Sequence, residues 1–233
     1  MDGVDGGSCA ACGVGYGSQH LAKGLPEARV VGVDRDARAI GIARNRFAHS
    51  RVTILEDDCQ KLGAAAQHGP FDAIVSFETL EHLPRPAEFL ARCHDLLAPD
   101  GTFIISTPNS RVTAAEHASI CAYHEREYTA PEFVELLHAA GFAGMTLWGQ
   151  RLSALGRLRD QVRAEVNRLR SSPLVRAGRW LQTLRGRAPA PLPLPSEAGD
   201  FEVVPLGSAE ECDALGGAGP LVVIAVVASP KRS

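Results

Sequence analysis

Short apolar runs and apolar stripes spaced three or four residues apart alternate along most of the chain. Residues 29–33, Val52-Thr53-Ile54-Leu55, Phe71-Asp72-Ala73-Ile74-Val75-Ser76 and Thr102-Phe103-Ile104-Ile105-Ser106 are the runs. They lack strict period-two alternation, the pattern of strands covered on both faces. Between them the spacing predicts helices. One starts over 18–25, with Ser18 as its cap, and one spans 36–48, with Ile40, Ala43 and Phe47 on one face. A third runs from Pro86 to Leu97, with Phe89, Leu90, Cys93 and Leu97 together, and a fourth from 131 to 140 after a Thr129 cap, ended by Gly141. Gly69-Pro70 and Pro99-Asp100-Gly101 read as turns, and 144–149 as a strand. Strands alternating with helices predict an α/β fold, a parallel sheet with helices on both faces.

After residue 150 the rhythm changes. Leu152, Leu155, Leu158, Val162, Val166 and Leu169 form one stripe of an amphipathic helix, and arginines crowd its other faces from Arg151 to Arg187. Pro173 breaks it, and a shorter helical stretch runs toward Leu184, with Trp180 the aromatic beside it. Residues 188–195, Ala-Pro-Ala-Pro-Leu-Pro-Leu-Pro, read as an extended linker. Phe201 to Val204 reads as a strand, and Leu221 to Ala228 as a buried one. The organisation expected is therefore a core domain over 1–150 and 196–233, with 151–195 inserted before the last strand. The insertion reads as a cap or a homodimer contact through 151–187; one apolar face with few aromatics argues against stable membrane binding.

Composition narrows the class. A chain of 233 residues with 45% hydrophobic and 22% charged residues has the make-up of an ordinary globular protein. A net charge of −3 does not suggest nucleic-acid binding, and no apolar run approaches the ~20 residues of a membrane span. The first residues, Met1-Asp2-Gly3-Val4-Asp5, have neither the basic flank nor the apolar core of a secretory signal, so a cytoplasmic location is expected. Cys9 and Cys12 form a C-x-x-C pair with no second pair to complete a zinc site, which favours reduced thiols.

Candidate chemistry lies at the ends of successive strands, where an open α/β sheet binds ligands. Cys12-Gly13-Val14-Gly15-Tyr16-Gly17 is a glycine turn that a ligand can approach closely, and Asp34 ends the next strand, where a carboxylate can accept bonds from a ribose diol. Asp57-Asp58 follows the third strand, placed to accept from an exocyclic amine, and Phe77-Glu78-Thr79-Leu80-Glu81-His82-Leu83 follows the fourth. A nicotinamide dinucleotide is a poor fit: the spacing is G-x-G-x-G, and no second dinucleotide half follows.

These pieces, with LLAPDGTFIISTPN at 96–109 and YHEREYTAPEF at 123–133, resemble the class I S-adenosylmethionine-dependent methyltransferases. The resemblance implies a Rossmann-like sheet of seven strands, mostly parallel with an antiparallel last strand, and S-adenosyl-L-methionine as cofactor. It implies that Gly13 and Gly15 face the methionine part, Asp34 the ribose, and Asp58 the adenine amine. Arg35 and Cys59 would flank those acids, and Phe77 and Glu78 would line the same pocket. The implied reaction is methylation of a hydroxyl on a sugar, glycan precursor or natural product, with His82 or His124 as base and Glu81 beside them. A partial resemblance to small-RNA 2′-O-methyltransferases lies in E-x-x-E-H (Glu78, Glu81, His82) and the H-x-x-E-Y-T that begins at His124. It implies that Glu78, Glu81, His82 and His124 hold Mg²⁺ or another divalent cation beside an RNA 3′-terminal ribose.

The chain departs from the family at its start. Cys9 stands where the family carries an acid, and Asp5-Gly6-Gly7-Ser8 disfavour a strand. A degenerate first strand is expected, in an N-terminally shortened or altered form of the domain. Losing one charge-assisted bond would weaken cofactor binding by ~1.5–3 kcal/mol. A catalytically impaired protein that keeps the fold as a binding module is the corresponding alternative.

Overall fold

The computed structural model describes residues 6–116, 124–154, 156–158, 201–216 and 219–228. The chain divides into two compact units, Met1–Gly149 with Val204–Ser233, and Gln150–Val203.

The strands are β1 (Gly6–Ala10), β2 (Arg29–Asp34), β3 (Val52–Glu56), β4 (Phe71–Ser76), β5 (Leu97–Pro108), β6 (Met145–Leu152), β7 (Phe201–Leu206) and β8 (Val222–Ala228). They form one mixed sheet in the order β3-β2-β1-β4-β5-β8-β6-β7. Strands β1 to β5 pair in parallel, and β8 runs antiparallel to β5, from Thr102 opposite Ala228 to Pro108 opposite Val222. The sheet thus has eight strands where seven were expected, because Phe201–Leu206 joins it at the edge.

The first strand is formed. It is paired on both sides, with Ser8 opposite Val31 of β2 and Ile74 of β4. Glycine costs roughly 0.5–1 kcal/mol in a strand interior. Two apolar neighbours that offer ladder bonds on both edges outweigh that local preference. This register sets Ala10 beside Val33, so the glycine turn starts next to Asp34.

The Pro99-Asp100-Gly101 turn lies inside a long β5. The β4–β5 register shifts between Phe71 and Ala73, with Phe71 opposite Leu97 and Ala73 opposite Thr102, and Asp100 takes φ 62. The turn is a bulge that bends a continuous strand rather than a break before it.

The helices are α1 (Tyr16–Gly24), α2 (Ala37–Arg46), α3 (Pro86–Leu96), α4 (Ser110–Glu116), α5 (Ala130–Ala139) and α6 (Ala209–Ala214). Helix α1 starts two residues earlier than Ser18. Gly15 is its N-cap, and Ser18 is fully buried with its hydroxyl unpartnered, packed toward Gly32 of β2. Asp36 caps α2 by accepting from Arg38 N and Ala39 N. Thr129 and Glu132 close a capping box on α5, each side chain accepting a backbone N–H of the other. The core is built from Phe71, Phe89, Phe103, Phe133 and Phe142, all at most 1% exposed.

In the second unit Arg151 pairs with Glu202 at 2.8 Å. Arg151 and Leu152, read from sequence as the start of the Arg-rich helix, end β6 instead. The rest of that helix beyond residue 158, Trp180, the linker and the expected dimer contact lie outside the described residues. Among the described residues no helix is long and apolar enough to cross a membrane.

Candidate active site

The parallel pairing of β3, β2, β1, β4 and β5 brings the loops that follow them to one edge of the sheet. Every residue singled out from sequence as a site candidate is carried by these strand ends and loops or by the 124–129 segment.

The glycine turn runs from Ala11 to Gly15, with positive φ at Ala11 (57), Gly13 (53) and Gly15 (87). Cys12 N donates to Val33 O at 2.7 Å, and Gly15 N to Cys12 O at 2.9 Å. The two glycines have different surroundings. A Cβ on Gly13 would meet nothing within 4 Å, whereas a Cβ on Gly15 would stand 2.6 Å from the Ala43 Cβ of α2. Gly13 leaves open space above the turn, and Gly15 permits α1 to start against α2.

Asp34 is half-buried, and both its oxygens hold backbone. Oδ2 accepts from Gly13 N at 2.8 Å and Oδ1 from Asp36 N at 2.9 Å. The acid therefore clamps the glycine turn to the end of β2. Each carboxylate oxygen retains a further lone pair for a ligand. Arg35 beside it is exposed.

At the end of β3 the two acids divide their work. Asp57 Oδ2 accepts from Ala64 N and Ala65 N at 2.8 and 3.1 Å, which folds the following loop back. Asp58 is exposed and accepts from Gln60 N. Cys59 is buried; burial, helped by the charges of Asp34, Asp58 and Asp57, pushes its thiol up to about 11.

After β4, Phe77 is 53% exposed and Glu78 adopts a left-handed backbone at φ 49. Ser106 of β5 holds that conformation from both ends: its Oγ accepts from Glu78 N at 3.2 Å and donates to Glu78 Oε1 at 2.7 Å. Desolvation of the carboxyl end raises the Glu78 pKa, and the Ser106 bond opposes the rise. A single 3-10 turn, Leu80–His82, follows. It buries Glu81 to 1% exposure, where Oε2 accepts from Thr107 Oγ1 at 3.4 Å and Oε1 has no hydrogen-bond partner. Burial raises the Glu81 pKa to about 7, with the nearby Glu78 charge adding to the rise.

The 124–129 segment docks on this turn through backbone: Glu125 N and Arg126 N both donate to Glu81 O, at 2.8 and 3.2 Å. That docking brings His124 against His82, with ring centroids 4.8 Å apart and planes at 75°. Glu81, His82 and His124 place one ligating atom each within 4.8 Å of one another. Glu78 is not part of that group; its carboxylate is turned to Ser106. The His82 side chain is 40% exposed and that of His124 15%.

The structure adds surroundings that the motifs did not show. Ala11, Cys12, Tyr16, His20, Val75 and Phe77 line part of an apolar cavity of about 310 Å³ beside the glycine turn. His20 carries no motif and could be found only by placing α1 over the end of β4. Ser106, Thr107 and Glu127 lie inside the family-like motifs, but their spacing gave no sign of what they touch.

A family model described as a methyltransferase domain matches residues 10–147. A probable S-adenosylmethionine-dependent methyltransferase of Mycolicibacterium smegmatis is 36% identical over 135 residues, 57% of this chain and 50% of the relative. Another, Rv3030 of Mycobacterium tuberculosis, is 30% identical over 211 residues, 88% of this chain and 71% of the relative. The ubiquinone biosynthesis O-methyltransferase of Paraburkholderia xenovorans is 34% identical over 112 residues, 48% of this chain and 47% of the relative. The chain thus spans about half the length of two of these three curated relatives. Among solved structures, the N-methyltransferase NodS from Bradyrhizobium japonicum in complex with S-adenosyl-L-homocysteine aligns with a TM-score of 0.56 at 15% identity, over 98% of this chain and 79% of that one.

Proposed function

The chain belongs to the S-adenosylmethionine-dependent methyltransferase family, and on that premise we propose that it methylates a hydroxyl of a small-molecule acceptor, with the His82–His124 imidazole pair taking the proton. The observation that carries this reading is the convergence of Glu81, His82 and His124 at the end of β4, one strand away from the glycine turn. S-adenosylmethionine, when bound, supplies an electrophilic methyl group on a sulfonium.

The protein's own residues bind, align and deprotonate. The open space at Gly13 would admit the methionine part of the cofactor. Asp34 holds the turn through one oxygen pair and offers its remaining lone pairs to the ribose. Asp58, exposed at the end of β3, would bind the adenine amine, with Arg35 and Cys59 alongside, and Phe77 and Glu78 would line the pocket from the end of β4. Alignment of acceptor and methyl group supplies much of the rate, and a positioned imidazole supplies typically 10²–10⁴-fold more. The apolar cavity rimmed by Tyr16 and Phe77 favours an acceptor with a carbon-rich part, such as a natural product or glycan precursor.

A second reading rests on the buried Glu81 Oε1, which accepts no hydrogen bond and lies 3.8 Å from His82 Nε2. Glu81, His82 and His124 would hold a divalent cation, which would lower the pKa of an acceptor hydroxyl. One carboxylate and two imidazoles suit a transition cation better than Mg²⁺, which favours oxygen ligands. This reading carries the RNA 3′-terminal acceptor as its counterpart.

The test is methyl transfer from radiolabelled S-adenosylmethionine to a panel of phenols, sugars, glycan precursors and short RNAs, each with and without EDTA. We expect EDTA-resistant labelling of a hydroxylated small molecule, and about 100-fold lower kcat on His82→Ala or His124→Ala, whichever is the base. Labelling of RNA alone, abolished by EDTA, would favour the second reading. Two fully active histidine variants would remove the base assignment. No calorimetric binding of S-adenosylhomocysteine at millimolar ligand would leave a binding module without catalysis.

A further inference from the structure

His124 is gripped by a residue outside the three-residue cluster. Its Nδ1 lies 2.7 Å from Glu127 Oε1, and the two side chains are 15% and 6% exposed. The other Glu127 oxygen is hydrogen-bonded to Thr113 Oγ1 in the middle of α4. Thr113 is itself anchored by its own N–H to Asn109 O at 3.0 Å. The segment also has docking bonds independent of Glu127: Glu125 N and Arg126 N donate to Glu81 O, and Ser110 N donates to Tyr128 O. The buried carboxylate is aimed at the imidazole.

The chemistry of that contact is directional. An ionised carboxylate only accepts hydrogen bonds, and a neutral imidazole carries one N–H. An ionised Glu127 at Nδ1 favours the neutral tautomer with its proton on Nδ1, in which Nε2 keeps its lone pair. Nδ1 being occupied, Nε2 is the nitrogen left to serve the pocket where His82 and Glu81 converge.

We propose that Glu127 is a positioning residue: it fixes the ring orientation and tautomer of His124 so that an unprotonated Nε2 faces the Glu81–His82 pocket. The proposal rests on the functional reading above for its consequence in turnover, but not for the tautomer itself. It holds whether Nε2 takes a proton or binds a cation, because both need the same lone pair.

Glu127→Gln is the informative change. It keeps size and shape, but its amide can donate as well as accept, so it no longer dictates which ring nitrogen is protonated. The experiment is a long-range ¹H–¹⁵N spectrum of the histidine rings of the whole chain at mildly alkaline pH, in EDTA, for wild type, Glu127→Gln and Thr113→Val. We expect His124 in the Nδ1–H form in the wild type. We expect a mixed or reversed signature in Glu127→Gln, and an intermediate one in Thr113→Val. A wild-type Nε2–H tautomer, or a Gln variant with an unchanged ring signature, overturns the proposal. With any acceptor that turns over in the panel, Glu127→Gln should lower kcat about 10–100-fold and leave both KM values within about twofold. An equal loss through KM would mean a merely structural role. If no acceptor in the panel turns over, the ring spectra still decide the tautomer, so the two readings fail separately. Should Glu127→Gln misfold, the wild-type tautomer and Thr113→Val still decide.

Discussion

Alanine at Gly13 and alanine at Gly15 should produce opposite phenotypes although the positions are two residues apart. At Gly15 the backbone sits at φ 87, and a new Cβ would lie 2.6 Å from the Ala43 Cβ and 3.1 Å from its Cα. The left-handed conformation costs a non-glycine residue about 1–2 kcal/mol. Forcing a methyl into a filled contact costs a further 1–3 kcal/mol or so. The sum, about 2–5 kcal/mol, is a large share of the roughly 5–15 kcal/mol that holds a typical domain folded. At Gly13 only the conformational part applies, because the space beyond it is open. That space is where the cofactor chain would lie, so Gly13→Ala should spare most stability and lower affinity for S-adenosylhomocysteine tenfold or more. Urea denaturation followed by circular dichroism measures the first effect, and isothermal titration calorimetry the second. Ala43→Gly in the Gly15→Ala background should return the part due to the Ala43 Cβ, though not the 3.1 Å contact with its Cα, less about 1 kcal/mol for a glycine inside α2. A Gly15→Ala loss below about 1 kcal/mol, or a larger stability loss at Gly13 than at Gly15, would refute the division of roles.

Asp34→Asn removes the charge that binds Gly13 N and Asp36 N; it should weaken S-adenosylhomocysteine binding by about 10–100-fold, the worth of one charge-assisted bond, and unchanged affinity in calorimetry would show that the acid serves only the fold. Glu81 has a folded pKa of about 7 against an ordinary value of 4.5, so the folded state holds more protons than the unfolded one between those values. Stability in EDTA should therefore fall as pH rises from about 4.5 through 7, by up to about 3 kcal/mol, and Glu81→Gln should flatten that part of the denaturation-versus-pH profile; an identical slope in the variant would assign the dependence to another group. Thr129→Ala removes one arm of the capping box on α5 and should cost about 1 kcal/mol in urea denaturation, with no effect at all counting against the box.

The element order was legible because its signals are local. Parallel strands buried in the sheet read as unbroken apolar runs, and β2 and β4 lie where such runs fall. Capping chemistry read correctly at Thr129, while the Asp36 cap of α2 went unread. The misreadings share one cause. Gly6-Gly7-Ser8 looks unlike a strand because glycine propensity is local, while the pairing of β1 with two neighbours is not. Asp100-Gly101 looks like a turn because bulges use turn residues, and only the partner strand shows that β5 continues through it. Ser18 looks like a cap; in the fold it faces Gly32, and Gly15 takes the cap position.

The same divide runs through the candidate site. Sequence alone determined which strand ends carry acids, glycines and histidines, because motif spacing along one chain records which loop each residue occupies. It could not rank them, since rank depends on neighbours distant in sequence. Folding made Gly15 a packing residue and left Gly13 open, and it turned Glu78 toward Ser106. It buried Glu81 deeply enough to raise its pKa to about 7, and it set His124 against both His82 and Glu127. Desolvation, ring contact and the partner of a single nitrogen are properties of three-dimensional proximity, and only the tertiary structure supplies them.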